Sequence, residues 1–243
     1  MAEPESGPES GRDPEGEKLA RQRASLLDAA LRHVPFDGWT WTAIDAGARD
    51  LALAPGEAHR LFPGGPQELI RAFSSAADRQ MLETLEGLDL GAMKIREKVA
   101  AGVRARLDAV AGHREAVRSG LAFFTLPQNL AAGLSCLYRT VDALWYAAGD
   151  KATDYNFYTK RALLAGVYSS TLLFWLNDKS EDFAATWAFL DRRIAEVLKV
   201  AGRLGKGVGA AMNLPDRLFA AVTTARRDGP KRGRGPLRSA ARR

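Results

Sequence analysis

The spacing of apolar residues is the feature of this chain that most restricts its fold. Along almost the whole sequence they recur three and four positions apart, as between Phe183 and Val197, where Trp187, Leu190 and Ile194 intervene. That spacing places the side chains on one face of an α-helix, whereas a half-buried strand needs strict alternation. Runs of β-branched residues are few. The sequence therefore predicts an all-α fold of about nine or ten helices.

Residues 18–90 contain the alternation of helices and turns that is typical of a helix-turn-helix domain. A first helix should end at Pro35 and Gly38, and Thr40 or Thr42 can cap the next one. The elements expected after that cap are a turn at Ala54–Gly56, a short helix at Glu57–Phe62 and a long helix at Gln67–Leu88. The run from Leu26 to Ile70 resembles the N-terminal domain of TetR regulators, which implies a TetR-like helical bundle.

The charge of this region argues against DNA binding. Residues 35–75 carry three arginines against five acids, a net charge of −2. The short helix offers only Glu57, His59 and Arg60 as polar side chains that could reach a base. Because neutralisation of phosphates supplies most non-specific affinity, an acidic face is a poor DNA-binding surface. We therefore expect a degenerate helix-turn-helix. The alternative is a TetR-type transcriptional regulator that senses a hydrophobic ligand.

No catalytic or metal-binding pattern stands out, and we expect no enzyme, no metal and no cofactor. His33, His59 and His113 are isolated, without the paired spacing of zinc or di-iron ligands. Gly205–Gly209 reads GKGVG but lacks the P-loop spacing. The single cysteine, Cys136, lies among leucines, where a small buried hydrophobic residue is the expected role.

Residues 91–202 should form a second helical domain with a large apolar interior. Helices are expected around Ile95–Val110 and Leu130–Trp145, with Pro127 breaking or starting one of them, and around the apolar run Ala162–Leu176. This last run falls short of the ~20 residues that a spanning helix needs. Its aromatic residues could form a plain core or surround a ligand cavity, since bundles commonly hold ligands between their helices.

One stretch is specific enough to indicate a family. Residues 148–193, AGDKATDYNFYTKRALLAGVYSSTLLFWLNDKSEDFAATWAFLDRR, resemble the signature of the COQ9 (Coq-nine) family, lipid-binding accessory proteins of ubiquinone biosynthesis. The resemblance implies that the cavity exists and holds an isoprenoid quinone or phospholipid, with the head group presented outward. The implied lining residues are Phe123, Leu137, Tyr138, Val141, Leu164, Val167, Tyr168, Phe174, Trp175 and Trp187.

The same resemblance implies a protein partner, the demethoxyubiquinone hydroxylase. Matched by position, the family's partner-binding patch falls on Leu144, Asp154, Phe157 and Tyr158. Leu144 stands where animal members have methionine, and Phe157 where they have tryptophan. TetR-like folds usually dimerise through their C-terminal helices, so a homodimer is expected.

The two ends of the chain have opposite charge. Residues 1–17 have a net charge of −5 and are rich in Pro, Gly and Glu, which predicts disorder and is untypical of a signal or transit peptide. Residues 203–225 combine an apolar stripe with basic flanks, as an interfacial helix does. Four glycines between 202 and 209 and Pro215 should weaken it in water. The expected membrane-binding residues are Leu204, Val208, Met212, Leu218, Phe219 and Val222.

Residues 226–243 form an arginine-rich tail, expected to be disordered. From residue 203 onward, eleven basic residues face two acids, a net charge of +9. Such a tail favours an anionic membrane surface, at about 1 kcal/mol per basic residue near the leaflet. Binding of RNA by these arginines is the alternative. We expect a cytoplasmic protein, peripheral on the inner face of a bacterial membrane.

Overall fold

The computed structural model describes residues 13–149 and 156–211, with side chains except at residues 156–159 and 200–211. The described residues form ten α-helices and no strand, as predicted. The first five helices are α1 (Pro14–Leu31), α2 (Val34–Asp37), α3 (Trp41–Asp50), α4 (Glu57–Leu61) and α5 (Gly65–Glu86). The remaining five are α6 (Ile95–Asp108), α7 (Arg114–Thr125), α8 (Pro127–Ala147), α9 (Asn156–Trp175) and α10 (Ala184–Ala211).

Helix α1 begins inside the segment predicted to be disordered. The side chain of Asp13 accepts a hydrogen bond from the backbone N–H of Glu15, and Pro14 stands at the first helical position. Both features start helices, since proline lacks only an N–H that would be unsatisfied there. The composition of residues 1–17 predicted disorder, so the start of this helix was not expected there.

Helices α1 to α5 have the order expected for the helix-turn-helix. Thr40 caps α3 by accepting a hydrogen bond from the backbone N–H of Ala43, 3.4 Å away. Gly56 has φ +84°, a left-handed conformation that glycine adopts without steric cost. Helices α1 and α3 cross so closely that a Cβ on Gly47 would lie 2.6 Å from the backbone nitrogen of Ala30. This crossing leaves no room for a larger residue.

The chain divides into two compact units, residues up to Val197 and residues from Leu198 onward. The first unit thus includes both regions predicted as separate domains, 18–90 and 91–202, apart from the last few residues of the second. One continuous apolar core explains this, because buried residues of α5, such as Met81 and Leu85, belong to the same cluster as Val103 of α6 and Leu144 of α8.

The side chains of Asp178 and Ser180 fix the start of α10. Ser180 Oγ accepts a hydrogen bond from the N–H of Ala185, and Asp178 Oδ2 accepts from the N–H and hydroxyl of Thr186. Burial alone would raise the pKa of Asp178, but these bonds and those from Ser180 hold it well below the usual range. The second unit contains the end of α10, and Gly205–Gly209 lies in that helix rather than in a loop.

Candidate ligand-binding cavity

A cavity of about 270 Å³ lies in the first unit, among α5 to α9. Its wall is mainly apolar, with contributions from the first helices as well as from the second half of the chain. The lining residues are Trp39, Ile70, Phe73, Ser74, Arg106, Val110, Ala116, Val117, Gly120, Leu121, Phe124, Leu130, Gly133, Leu134, Cys136, Leu137, Thr140, Tyr168, Ser169, Leu172 and Leu173.

The break between α7 and α8 positions one side of the cavity. Leu126 has the extended backbone (φ −67°, ψ 133°) that a following proline imposes, so Pro127 starts α8 instead of continuing α7. The two helices then pack tightly, because a Cβ on Gly133 would lie 2.8 Å from Cγ of Phe124. Gly120 is similarly close to Ile70, with 3.0 Å from its hypothetical Cβ to Cδ1.

Three leucines of the lining are exposed at the surface. The exposed fraction is 52% for Leu130, 49% for Leu134 and 56% for Leu173. Because these residues line the cavity and are also exposed to solvent, they give the cavity an apolar opening lined by α8 and α9. Contiguous apolar surface of this kind marks an interaction site more often than an isolated exposed leucine does.

The inner wall carries a buried ion pair. Arg106 Nε donates to Asp78 Oδ1 over 2.7 Å, and Thr140 Oγ1 donates to the same oxygen over 2.7 Å. The other carboxylate oxygen of Asp78 accepts from Arg139 Nε at 3.0 Å. Burial alone would lower the pKa of Arg106, but the adjacent carboxylate of Asp78 raises it, so the guanidinium remains charged.

Two of the ten predicted lipid-binding residues, Leu137 and Tyr168, line this cavity. The other eight do not. Val141, Leu164, Val167 and Trp175 are buried in the helical core, while Tyr138 and Phe174 are exposed and Phe123 and Trp187 partly buried.

The aromatic side chains outside the cavity have other contacts that explain their positions. Phe174 stacks on Phe189, with ring centroids 4.5 Å apart. Trp187 donates a hydrogen bond to the backbone oxygen of Asp182 over 2.8 Å and lies under the guanidinium of Arg104. Sequence spacing alone cannot separate such packing from a ligand contact.

The predicted partner and membrane residues are only partly described. Leu144 is 3% exposed and packs against Gly102, so its side chain is not at the surface. Asp154, Met212, Leu218, Phe219 and Val222 lie outside the described residues. Phe157 and Tyr158 are in α9, and Leu204 and Val208 in α10, at positions without described side chains.

Sequence reasoning missed the leucines at the opening and the polar inner wall. Leu130 and Leu134 follow the helical spacing of buried residues, so their exposure could not be foreseen. Arg106 did leave a signal, because it occupies an inward position on the same face of α6 as Val99 and Val103. A charged residue on an apolar helix face needs a buried partner.

The side chains of the would-be recognition helix, α4, are engaged within the protein. Arg60 forms an ion pair with Glu57 over 2.9 Å. The ring of His59 stacks on Trp41, with centroids 3.9 Å apart and planes 6° from parallel. Because of these contacts, few polar side chains of α4 are available to contact a DNA base.

Within the described ranges, no group of three or more histidines, cysteines or acids is placed to hold a metal ion. In the same part of the chain, no helix is long and apolar enough to cross a membrane.

The helix order and the ligand-sized cavity define a TetR-like all-α protein. A crystal structure of a TetR transcriptional regulator from Nitrosomonas europaea has this fold, with a TM-score of 0.61 over 73% of this chain and 98% of that one, at 24% identity.

Similarity of sequence identifies the particular family. Residues 130–201 match the COQ9 family model. The rat protein named "Ubiquinone biosynthesis protein COQ9, mitochondrial" is 36% identical over 224 residues, covering 88% of this chain and 70% of its own length. The human protein of that name is 34% identical, covering 90% and 70%. The chain belongs to the COQ9 family.

Proposed function

We propose that this protein is a non-catalytic accessory protein of ubiquinone biosynthesis that binds a polyprenyl quinone intermediate in its cavity. It takes this lipid from the membrane and delivers it to the demethoxyubiquinone hydroxylase. Membership of the COQ9 family, whose relatives are named for ubiquinone biosynthesis, supports the pathway. The observation that carries the lipid-binding step is the apolar cavity with exposed leucines at its opening.

The volume of the cavity limits how much of a lipid it encloses. An engineered protein cavity of ~150 Å³ accepts benzene. By that measure, 270 Å³ holds about ten to twelve carbon-sized atoms, far fewer than a long polyprenyl chain contains. The remainder of the chain must therefore leave through the leucine-lined opening and stay covered.

The free-energy cost of exposing the prenyl chain to water favours transfer of the lipid at the membrane surface. Each CH₂ exposed to water costs about 0.8 kcal/mol, so ten of them would cost about 8 kcal/mol. A bilayer is as apolar as leucine side chains, so moving the enclosed part from lipid into the cavity is close to neutral. A carrier whose opening faces the bilayer can keep the outer part of the chain in lipid throughout.

The test of lipid binding uses two adjacent serines of α9. Ser169 lines the cavity, whereas Ser170 does not and its hydroxyl donates to the backbone oxygen of Val167. We expect Ser169→Phe to fill the cavity and lose co-purifying isoprenoid quinone, measured by mass spectrometry of organic extracts. Ser170→Phe is the matched control and should retain it. Extracts of the parent protein without isoprenoid lipid, or equal retention by both variants, would contradict the proposal.

The hydroxylase contact is proposed at Asp154, Phe157 and Tyr158. Phe157→Ala and Asp154→Lys should weaken co-purification with the hydroxylase while the helical content by circular dichroism stays unchanged. Phe36→Ala, which removes an aromatic side chain that is 89% exposed on α2, serves as the control. Full co-purification by both patch variants would exclude this surface.

Membrane binding is proposed for residues 203–225, assisted by the arginine-rich tail. The double substitution Leu218→Ser and Phe219→Ser should reduce flotation of the full chain with anionic vesicles, because it removes apolar anchors. Ala220→Ser with Ala221→Ser is the control, since it removes little apolar surface. Equal flotation of both double variants would refute this assignment.

A further inference from the structure

Two hydrogen-bond donors on the inner wall of the cavity lack an acceptor in the part of the chain that the structure describes. Arg106 and Tyr168 line the cavity and are only 5% and 6% exposed. Arg106 Nε is bonded to Asp78 and Nη2 makes long contacts of 3.4 and 3.5 Å with Ser74, but Nη1 has no partner among the described residues. The hydroxyl of Tyr168 likewise donates to none of them.

Both groups are held in their donating forms. Burial raises the pKa of Tyr168, so the phenol keeps its proton near neutral pH. Arginine has only donors, and its guanidinium stays charged beside Asp78. Since buried polar groups in native proteins are nearly always hydrogen-bonded, the occupant of the cavity should supply the missing acceptor.

The surrounding charges favour a neutral acceptor over a carboxylate. Asp78 balances the charge of the buried Arg106, whereas the second guanidinium that it accepts from, that of Arg139, is on a side chain that is 40% exposed and is screened by solvent. A second carboxylate would stand near the first in a largely apolar cavity, where desolvation of an ion is costly and like charges repel. A carbonyl oxygen accepts hydrogen bonds without either penalty.

We propose that a carbonyl oxygen of the lipid's quinone ring binds to Arg106 and Tyr168, so that the head group enters the cavity first. The chain then leaves between Leu130, Leu134 and Leu173. This inference rests on the proposed function and reverses the outward head group expected from sequence. The volume of about 270 Å³ suits a substituted ring with the start of its chain. Delivery to an enzyme then requires the ring to be released through the opening.

The experiment compares three probes that share a ten-carbon chain: decylbenzene, decanoate and 2,3,5-trimethyl-6-decyl-1,4-benzoquinone, whose fully substituted ring leaves no free position for addition of the Cys136 thiol. Each displaces a fluorescent naphthylamine from the purified full chain at pH 8. The key variant is Tyr168→Phe, which removes the hydroxyl and keeps the ring. Tyr138→Phe is the matched control, since it removes the same hydroxyl from a tyrosine that is 57% exposed and does not line the cavity.

We expect the parent to bind the quinone more tightly than decylbenzene or decanoate. Tyr168→Phe should weaken quinone binding about fivefold to tenfold, the effect of one lost hydrogen bond, and change decylbenzene binding less than twofold. Tyr138→Phe should change neither. Equal affinity for quinone and decylbenzene, the same loss for both in Tyr168→Phe, or a preference for decanoate would overturn the inference.

The same displacement experiment gives a different result if the proposed function is wrong. If no apolar probe displaces the dye from the parent, the cavity does not bind lipid. If decylbenzene binds and the quinone binds no better, only the head-first orientation is refuted.

Discussion

Removal of Asp78 should strongly destabilise the protein, because it leaves Arg106 buried without its counter-ion. The side chains of the two residues are 7% and 6% exposed. Breaking a buried ion pair by removing one partner typically costs 3–5 kcal/mol. At 2–4 °C per kcal/mol for a protein of this size, we expect Asp78→Leu to lower the melting temperature by about 10 °C.

Thermal unfolding followed by circular dichroism at 222 nm measures this loss. The control is Arg60→Ala, which removes an ion pair whose arginine is 56% exposed. Exposed pairs contribute less than about 1 kcal/mol, so this variant should melt within about 3 °C of the parent. The double variant Asp78→Leu with Arg106→Met should regain most of the lost stability, since no fully buried charge is left unpaired and Arg139, which also bonds to Asp78, is 40% exposed and can be solvated.

A melting temperature of Asp78→Leu within 2 °C of the parent protein would refute this role of the ion pair. It is also refuted if the double variant is no more stable than the single one. Should Asp78→Leu fail to fold, a folded double variant would still show that the unpaired arginine is the cause.

Three further predictions concern other parts of the structure. Gly47→Ala should lower the free energy of unfolding by about 1–3 kcal/mol, because its Cβ meets backbone in α1; an unchanged urea midpoint would contradict the close crossing. Asp178→Ala should cost about 1–2 kcal/mol at pH 7. Because the pKa of Asp178 is strongly lowered in the folded state, its contribution is complete above about pH 5 and declines progressively as the pH falls below about 4 toward that lowered pKa, so the difference between parent and variant should be clearly smaller at pH 2.5 than at pH 7; a constant difference would refute this. The thiol of Cys136 lines the cavity, so saturating decylbenzene should slow its labelling by a maleimide at least fivefold, and an unchanged rate would place the ligand elsewhere.

The sequence alone predicted most of the helical framework. Periodicity and turn residues gave the order of α1 to α5, and the cap at Thr40 acts as expected. Such signals are local, since a cap or a proline acts on residues within a few positions of itself. The COQ9 signature at residues 148–193 likewise could be read directly from the chain.

Which residues surround the cavity could not be read in this way. Val141 and Leu137 share one helix and one apolar pattern, yet only Leu137 lines the cavity, because neighbouring helices cover Val141. The difference depends on how α8 packs against its neighbours, which helical spacing does not encode.

Sequence thus determined that this chain forms amphipathic helices and which family it belongs to. Tertiary structure decided that Asp78 of α5, Arg106 of α6 and Tyr168 of α9 meet at one wall. These residues are far apart in the chain, and only the packing of three helices brings their charges and hydroxyl together. The apolar opening has the same origin, because Leu130 of α8 and Leu173 of α9 are far apart in the chain and only the packing of the helices brings them to the same cavity.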